Sequence, residues 1–457
     1  MVPELEWRTH PLSRNRLDHR ENIITFLSSR FFSYLFLKRV DKENSFERDR
    51  NRSLIFFSNC TISCKSSFIV MFNIRVKLRK QYVPVLCFNH YQTSSSSTMG
   101  KVATAEALRF MTDCLKAVGT AARAAEQQAE LLIQADRFGH PSHGLNRLEM
   151  YVNDIISGAC KPNNEPKVLK ETQSTAWVDA NNVLGATASH FAMDIAIKKA
   201  KETGVAWVTV KGSNHNGMAG FWAQKAADKG LIGMAFTNTS PLLAPTRSKQ
   251  SALGTNPISV VAPASQGESF YLDMATTAVA VGKIEMQRRK GEPLPNGWAQ
   301  GPDGKETLDA DLAFQTGCLM PLGGGERTSG YKGFGLAAMV ELFCGISAGA
   351  NYGHHVRSWS HSGDGGPANL GHCFVAVNPE CFAPGFGERL TESIQHWRQL
   401  EPTDPDLPVL APGDKEKKAA AEADAKGTVS YVKQQIESSA ALAERLKVKP
   451  MDVQMEN

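Results

Sequence analysis

All 37 glycines of this 457-residue chain lie at or after Gly100. Glycine is the residue that enters left-handed backbone at no steric cost, so folded segments normally use several in turns and helix ends. A long stretch without one stands apart from the rest of the chain. Its composition agrees: ten of the 22 Phe fall in residues 1–98, with 16 Lys+Arg against 8 Asp+Glu. The other 359 residues carry 35 against 38, so the formal +5 charge belongs to the first segment and the rest has no nucleic-acid footprint. After Ser94–Thr98, the run Met99-Gly100-Lys101 reads as an ordinary translation start. Residues 1–98 are therefore expected to be a poorly ordered extension. The alternative is a mitochondrial presequence, against which Glu4, Glu6, Asp18 and Glu21 count. The apolar run Ser53–Phe72, interrupted by Asn59, Ser63 and Lys65, falls short of a membrane span.

Nine cysteines, an odd number and without a C-x-x-C pair, argue against a secreted disulfide framework and for the cytoplasm. From Thr104, Leu108, Met111, Leu115 and Val118 recur at helical spacing, predicting one helix to Asp136 and, after a loop, another over Leu145–Ile156. Strands are expected at Thr175–Asp179, Gly204–Lys211, Leu231–Thr237, Ile258–Ala262 and Phe270–Asp273, with helices over Ala186–Glu202 and Ala219–Lys229. Gly335–Ile346 reads as an apolar helix, Gly371–Val377 as a strand and Glu416–Leu446 as a charged helical C-terminus. The pattern is α+β: a helical domain formed from residues 99–172 and 329–457, with an α/β domain, 173–328, inserted between them.

A dinucleotide-binding G-x-G-x-x-G/A turn should follow a hydrophobic strand. The one formal match, Gly333-Phe334-Gly335-Leu336-Ala337-Ala338, follows the polar stretch Gly323–Lys332 and reads as a loop feeding a helix. No phosphate-binding G-x-x-x-x-G-K-[ST] occurs. His140, His143 and the pair His354-His355 lack Cys or acid partners at a zinc spacing, so no metal site is expected.

The densest polar cluster, Gly139–Tyr151, places His140, Ser142, His143, Arg147 and Tyr151 at a loop-to-helix junction. Arg147 and Tyr151 are four apart and share a helix face. A guanidinium there can grip a carboxylate through two parallel hydrogen bonds, and His143 can exchange a proton with a nearby hydroxyl or carbonyl. The bland reading, an Arg paired with a surface acid and a His capping a turn, is the stronger for any one residue alone. A second cluster, Lys211–Gly220 with His215, follows a strand and leads into a helix, where unpaired N–H groups favour anions. Its bland reading is an Asn/Gly turn. Two such clusters together shift the balance toward an active site. Leu253–Ile258, Leu272–Thr277 with Asp273, and Gly330–Gly333 with Lys332 are further polar segments in apolar settings.

Taken in order, these motifs resemble the malate/L-lactate dehydrogenase family of the non-Rossmann type, whose members include sulfolactate, ureidoglycolate and diketogulonate oxidoreductases. The resemblance runs from about Leu108 to Glu416. It rests on Ser142-His143-Gly144 with Arg147 and Tyr151, Ser213-Asn214-His215, Thr237–Pro241, Leu253–Ile258, Asp273–Thr277 with Gly282-Lys283, Tyr331-Lys332-Gly333 and Pro412–Glu416. It implies that the inserted α/β domain binds nicotinamide through a fold of its own, in a homodimer that uses NAD or NADP. His143 would be the acid/base, with His215 the second candidate, Arg147 the carboxylate grip, and Ser142, Tyr151 and Asp273 completing the catalytic set. Leu272, Met274, Ala275, Thr276, Thr277, Asn238, Tyr331, Lys332, Gly413, Asp414 and Glu416 would contact the cofactor. The implied reaction moves a hydride between nicotinamide and a small 2-hydroxy or 2-oxo acid such as malate, lactate or sulfolactate, with no nucleic-acid or membrane partner. Two departures bear on substrate and NAD/NADP choice: Asn216 stands where the family has Phe, and Ala244–Ser248 lacks a Gly pair. An imine or diketo-acid reductase on the same scaffold and a catalytically silent binding protein are the competing readings.

Overall fold

The computed structural model describes residues 99–358 and 366–455, together with the backbone of three strands nearer the N-terminus. Those strands, β1 (Ile55–Cys64), β2 (Ser67–Leu78) and β3 (Gln81–Tyr91), form an antiparallel sheet within the unit 1–96. The low order expected of residues 1–98 otherwise falls outside the described residues. All remaining elements belong to the second unit, 97–457. Among the described residues no helix is long and apolar enough to cross a membrane.

This unit opens with β4 (Met99–Ala103), α1 (Thr104–Ala117) and α2 (Ala122–Arg137). The single helix expected over Thr104–Asp136 is broken at Gly119, which takes φ 87°. High helix propensity on both sides hides that break in the sequence. α3 (Leu148–Ile156) comes next, and its Leu148, Tyr151 and Val152 pack with Phe110, Met111, Leu132 and Tyr431 in one helical core.

The sheet is laid down by β5 (Lys167–Glu171), β6 (Thr175–Asp179), β7 (Val205–Ser213), β8 (Ile232–Thr237), β9 (Ile258–Pro263), β10 (Ser269–Met274) and β11 (Leu370–Val377). Their spatial order is β10-β9-β8-β11-β7-β6-β5, antiparallel except for the parallel β6–β7 pair. β11 thus lies mid-sheet, with Phe374 opposite Val208 on one side and Ala235 on the other. Alternate residues of a strand face opposite ways. Phe374 and Ala376 accordingly meet the core under α4 (Gly185–Thr203) and α5 (Ala219–Ala227), while Cys373 and Val375 meet the opposite one.

α6 (Val281–Lys290) and α7 (Ala310–Thr316) enclose a small core of their own around Ile284, Leu294 and Leu319. α8 (Gly330–Glu341) then runs into a π turn, Leu342–Ile346, and packs Val340 and Cys344 onto the sheet. So β11 and α8, which the sequence reading assigns to the second part of the helical domain, belong with the sheet. The helix also begins five residues before the expected Gly335, so Gly333–Ala338 is helix interior rather than a loop. A phosphate cannot be cradled by N–H groups already bonded within a helix.

After α9 (Phe386–Arg398), the C-terminus contains α10 (Asp414–Lys426), β12 (Thr428–Val432), α11 (Lys433–Leu446) and β13 (Gln454–Met455). The expected continuous helix Glu416–Leu446 is interrupted at Gly427, with φ 64°. β12 and β13 pair with opposite edges of β4. Tyr431 of β12 and Leu442 of α11 pack with Phe110 of α1 in the helical core.

Candidate active site

The loop between α2 and α3 is built from short-range hydrogen bonds. The His143 amide donates to the His140 carbonyl (2.9 Å), and the Arg147 amide to the Gly144 carbonyl (2.9 Å). This tight path turns the side chains outward from the backbone. Arg147 Nε donates to the Ser142 carbonyl (2.7 Å), and Ser142 Oγ lies 3.0 Å from His143 Nδ1. Among the described residues, the two terminal nitrogens of Arg147 and Nε2 of His143 take no protein partner. Gly282, in the first turn of α6, closes the loop's flank: a Cβ there would stand 2.9 Å from that of Ser142.

The second loop leaves the sheet at the end of β7. Asn214 donates its amide to the Val183 carbonyl (2.8 Å) and to Asn182 Oδ1 (3.0 Å). Asn216 is buried and donates to Ser189 Oγ on α4 (3.1 Å), so the departure at this position points into the protein. Gly185 at the start of α4 lies so close that a Cβ would overlap the His215 carbonyl. Behind the loop stands His372, fully buried on β11, a residue the sequence reading missed. Its Nε2 lies 3.2 Å from the Asn214 carbonyl and 2.8 Å from Ser213 Oγ, and its Nδ1 is 2.7 Å from Thr237 Oγ1. A carbonyl only accepts, so Nε2 carries the proton and Nδ1 accepts from Thr237. One polar residue inside the apolar run Leu370–Val377 was the available signal.

The two loops meet. The rings of His143 and His215 stack with centroids 6.0 Å apart and planes 25° from parallel. Tyr151 Oη lies 2.6 Å from His215 Nδ1, and the Gly217 amide donates to that same nitrogen at 3.2 Å. An Nδ1 that accepts from an amide holds no proton of its own, so neutral His215 is protonated on Nε2 and the phenol donates. Burial pushes His143 down to about 3, with Arg147 and His140 adding repulsion. His215 is pushed well below 6.5 by burial, then by His143 and Arg147. Both residues are only partly buried. The resting site therefore holds two neutral imidazoles beside one fixed positive charge.

Of the residues expected at the cofactor, Leu272, Gly413 and Glu416 line one hollow of about 330 Å³ together with Tyr271, Asp273 and Pro412. Gly413 takes φ 96° and presses against Tyr271, leaving 2.6 Å between a Cβ there and the tyrosine Cβ. The buried Tyr271 hydroxyl has no hydrogen-bond partner among the described residues. Asp273 accepts the Gly220 amide at the start of α5 (2.6 Å) rather than orienting either imidazole; burial pushes its carboxyl up to about 6. Glu416 pairs with His140 (3.3 Å), joining this hollow to the loop that carries His143. Asp414 is held by Arg398, with Nη2–Oδ1 at 2.6 Å.

The rest lie elsewhere. Asn238 is fully buried and donates to Glu341 (2.8 Å) and to the Asn351 carbonyl (2.7 Å), while its oxygen accepts the Gly371 amide (2.9 Å). Asn256 donates to the other oxygen of Glu341 (2.8 Å) and the Gly353 amide to the first (3.1 Å). Glu341 is thus a buried hub, invisible in the sequence because its partners come from separate segments. Thr276 and Thr277 turn their hydroxyls onto nearby carbonyls. Met274 and Ala275 are partly exposed just before them. Tyr331 and Lys332 are exposed in the first turn of α8, which packs on the turn Pro321–Gly324 beside Thr277. No group of three or more metal-ligating side chains occurs among the described residues.

The profile of the malate/L-lactate dehydrogenase family matches residues 102–438. A malate dehydrogenase of Pyrococcus abyssi is 41% identical over 292 residues, covering 63% of this chain and 79% of that one. An L-sulfolactate dehydrogenase of Methanocaldococcus jannaschii is 35% identical over 312 residues, covering 68% and 87%. The solved malate dehydrogenase of Pyrococcus horikoshii OT3 superposes with a TM-score of 0.71 at 32% identity, over 78% of this chain and 98% of that one. This chain belongs to the malate/L-lactate dehydrogenase family, with its non-Rossmann α+β fold, and is a nicotinamide-dependent oxidoreductase acting on CH–OH groups.

Proposed function

We propose that the chain transfers a hydride reversibly between NAD or NADP and the α-carbon of a small 2-hydroxy or 2-oxo acid of the malate, lactate or sulfolactate kind. The observation that carries this reading is the pairing, on one short loop, of an uncommitted imidazole nitrogen and an uncommitted guanidinium fork, with a second neutral imidazole 6.0 Å from the first. The hollow beside Tyr271 and Gly413 suits part of a dinucleotide: a left-handed glycine keeps it open, and a buried hydroxyl there lacks a partner among the described residues. When bound, the nicotinamide supplies or removes the hydride.

The protein's own groups do the rest. The terminal nitrogens of Arg147 take the substrate carboxylate in a two-pronged hydrogen bond and fix the α-carbon's orientation. In oxidation, His143 Nε2 removes the hydroxyl proton while its Nδ1–H donates to Ser142 Oγ, the arrangement that leaves the Nε2 lone pair outward. In reduction, the same nitrogen returns that proton. His215, held as the Nε2–H tautomer by Tyr151 and Gly217, gives the site a neutral donor beside the base.

The chain works as a homodimer in the cytoplasm. Leu342 and Ile346, each about half exposed on the π turn, support a second copy covering that face. Free thiols throughout the described residues, Cys381 exposed among them, support a reducing compartment. A spectrophotometric screen of malate, lactate, sulfolactate and their oxo forms, with both cofactors and in both directions, tests the reading. Turnover of cyclic imines or diketo acids alone would replace it with the reductase alternative.

A further inference from the structure

Asp136 lies in the last turn of α2, outside the set of residues assigned to substrate or cofactor. It is half-buried, and its Oδ2 accepts the Leu145 amide at 3.0 Å and the Tyr431 hydroxyl at 2.8 Å. Its other oxygen, Oδ1, is buried without a hydrogen-bond partner among the described residues. The carboxylate presses directly on the backbone of the loop: a Cβ on Gly144 would overlap it. Gly144 follows His143, and its carbonyl accepts the Arg147 amide. Tyr431, almost fully buried, comes from β12, where it pairs with Gly100 of β4.

A carboxylate that makes so few bonds for its burial is a poor stabiliser, since removing it from water is costly. It does fix a distance. With Tyr431 on one side and the Leu145 amide on the other, it holds the catalytic loop at a set height above the end of α2. Replacing Gly144 or losing Asp136 would remove the contact that spaces α2 from the backbone carrying His143 and Arg147.

We propose that Asp136 and Tyr431 are positioning residues that set where His143 and Arg147 stand relative to His215. This rests on the reading of His143 as the acid/base. The test uses the full chain and three variants, Asp136→Ala, Asp136→Asn and Tyr431→Phe, with the 2-hydroxy acid it turns over. Steady-state kinetics would be read beside dinucleotide binding by fluorescence titration and a thermal melt.

Displacing reacting groups by even about 1 Å can cost on the order of 100-fold. Asp136→Ala should therefore lower kcat about 10- to 100-fold and raise the acid's KM, with dinucleotide Kd unchanged within about twofold. Asp136→Asn keeps an oxygen for the Leu145 amide and should recover most of the lost kcat. Tyr431→Phe should fall between the two. If Asp136→Ala does not fold, Asp136→Asn and Tyr431→Phe decide. Wild-type kcat and KM in folded Asp136→Ala and Tyr431→Phe overturn the proposal, as does a dinucleotide Kd that rises in step with the fall in kcat. His143→Ala, measured in parallel, separates the two claims: if it stays fully active, the acid/base assignment has failed whatever Asp136 does. If it is inactive while Asp136→Ala is normal, only the positioning role is lost.

Discussion

Tyr151 Oη and His215 Nδ1, 64 residues apart in sequence, stand 2.6 Å apart. The phenol and the Gly217 amide both point at this one nitrogen, so the tautomer of His215 is decided by α3 and by the loop's own backbone together. Tyr151→Phe removes one of two donors and leaves the ring's packing. A hydrogen bond of this kind contributes about 1 kcal/mol, so kcat should fall roughly fivefold to tenfold with dinucleotide affinity retained. Unchanged kcat in this variant would mean that the Gly217 amide alone holds the ring and that the phenol contributes nothing to turnover.

The pH dependence should split by direction. His143 is held down at about 3, so it is neutral, and able to accept a proton, at every pH above the acid range. Oxidation should therefore show no loss of kcat/KM around pH 6.5, the ordinary histidine value. Reduction needs the imidazolium and should quicken as pH falls. A clear acid limb for oxidation near 6.5 would show that the free site leaves His143 at its usual basicity.

Acid should also unfold the protein through His372. Burial lowers this ring to about 3 in the fold, against about 6.5 in the unfolded chain. A depressed folded value means that the stabilising contribution is complete above pH 6.5. It is lost as pH falls, because only the unfolded chain takes up the proton. The loss amounts to about 1.4 kcal/mol per pH unit between those values. His372→Gln should be less stable at pH 8 yet lose stability more slowly between pH 6.5 and 4, as read by urea denaturation. Parallel curves for the two proteins would refute the linkage.

The roles proposed for His143, His215 and Arg147 separate by kinetics. His143→Ala should reduce kcat by about 10²–10⁴-fold with cofactor binding preserved. His215→Ala should cost less; a larger loss there would make His215 the principal acid/base. Arg147→Lys should raise the acid's KM, since an ammonium cannot make the fork. Unaltered kcat/KM for every acid turned over would remove Arg147 from the carboxylate.

The formal G-x-G-x-x-A stretch gives a test by absence of effect. Gly335 lies inside α8, and a Cβ there meets nothing within 4 Å. Gly335→Ala should raise stability by about 0.5–1 kcal/mol and leave NAD(P) affinity alone. A collapse of dinucleotide binding would mean that this segment serves as a phosphate loop after all.

Locality decides how much of the site is legible in the sequence. Ser142, His143, Arg147 and Tyr151 occupy one short stretch, and His215 ends a strand readable from its apolar run, so both loops can be picked out before any fold is known. Their meeting can be expected only from the family resemblance. His372, Glu341 and Asp136 escape notice because each is an ordinary residue until a distant segment comes to it: Ser213 and Thr237, Asn238 and Asn256, Tyr431. The breaks at Gly119 and Gly427 are hidden by strong helix formers on either side. β4, β12 and β13 carry too little periodic signal to be seen without one another.

The placement of β4 between β12 and β13 has a consequence in time. Met99–Ala103 is the first part of this unit to emerge during synthesis, yet both its edges wait for Thr428–Met455. Until that last segment clears the ribosome, Tyr431 is missing beneath the histidine loop. A nascent chain arrested before that point would already hold His143, Arg147 and His215, with both edges of β4 still unpaired.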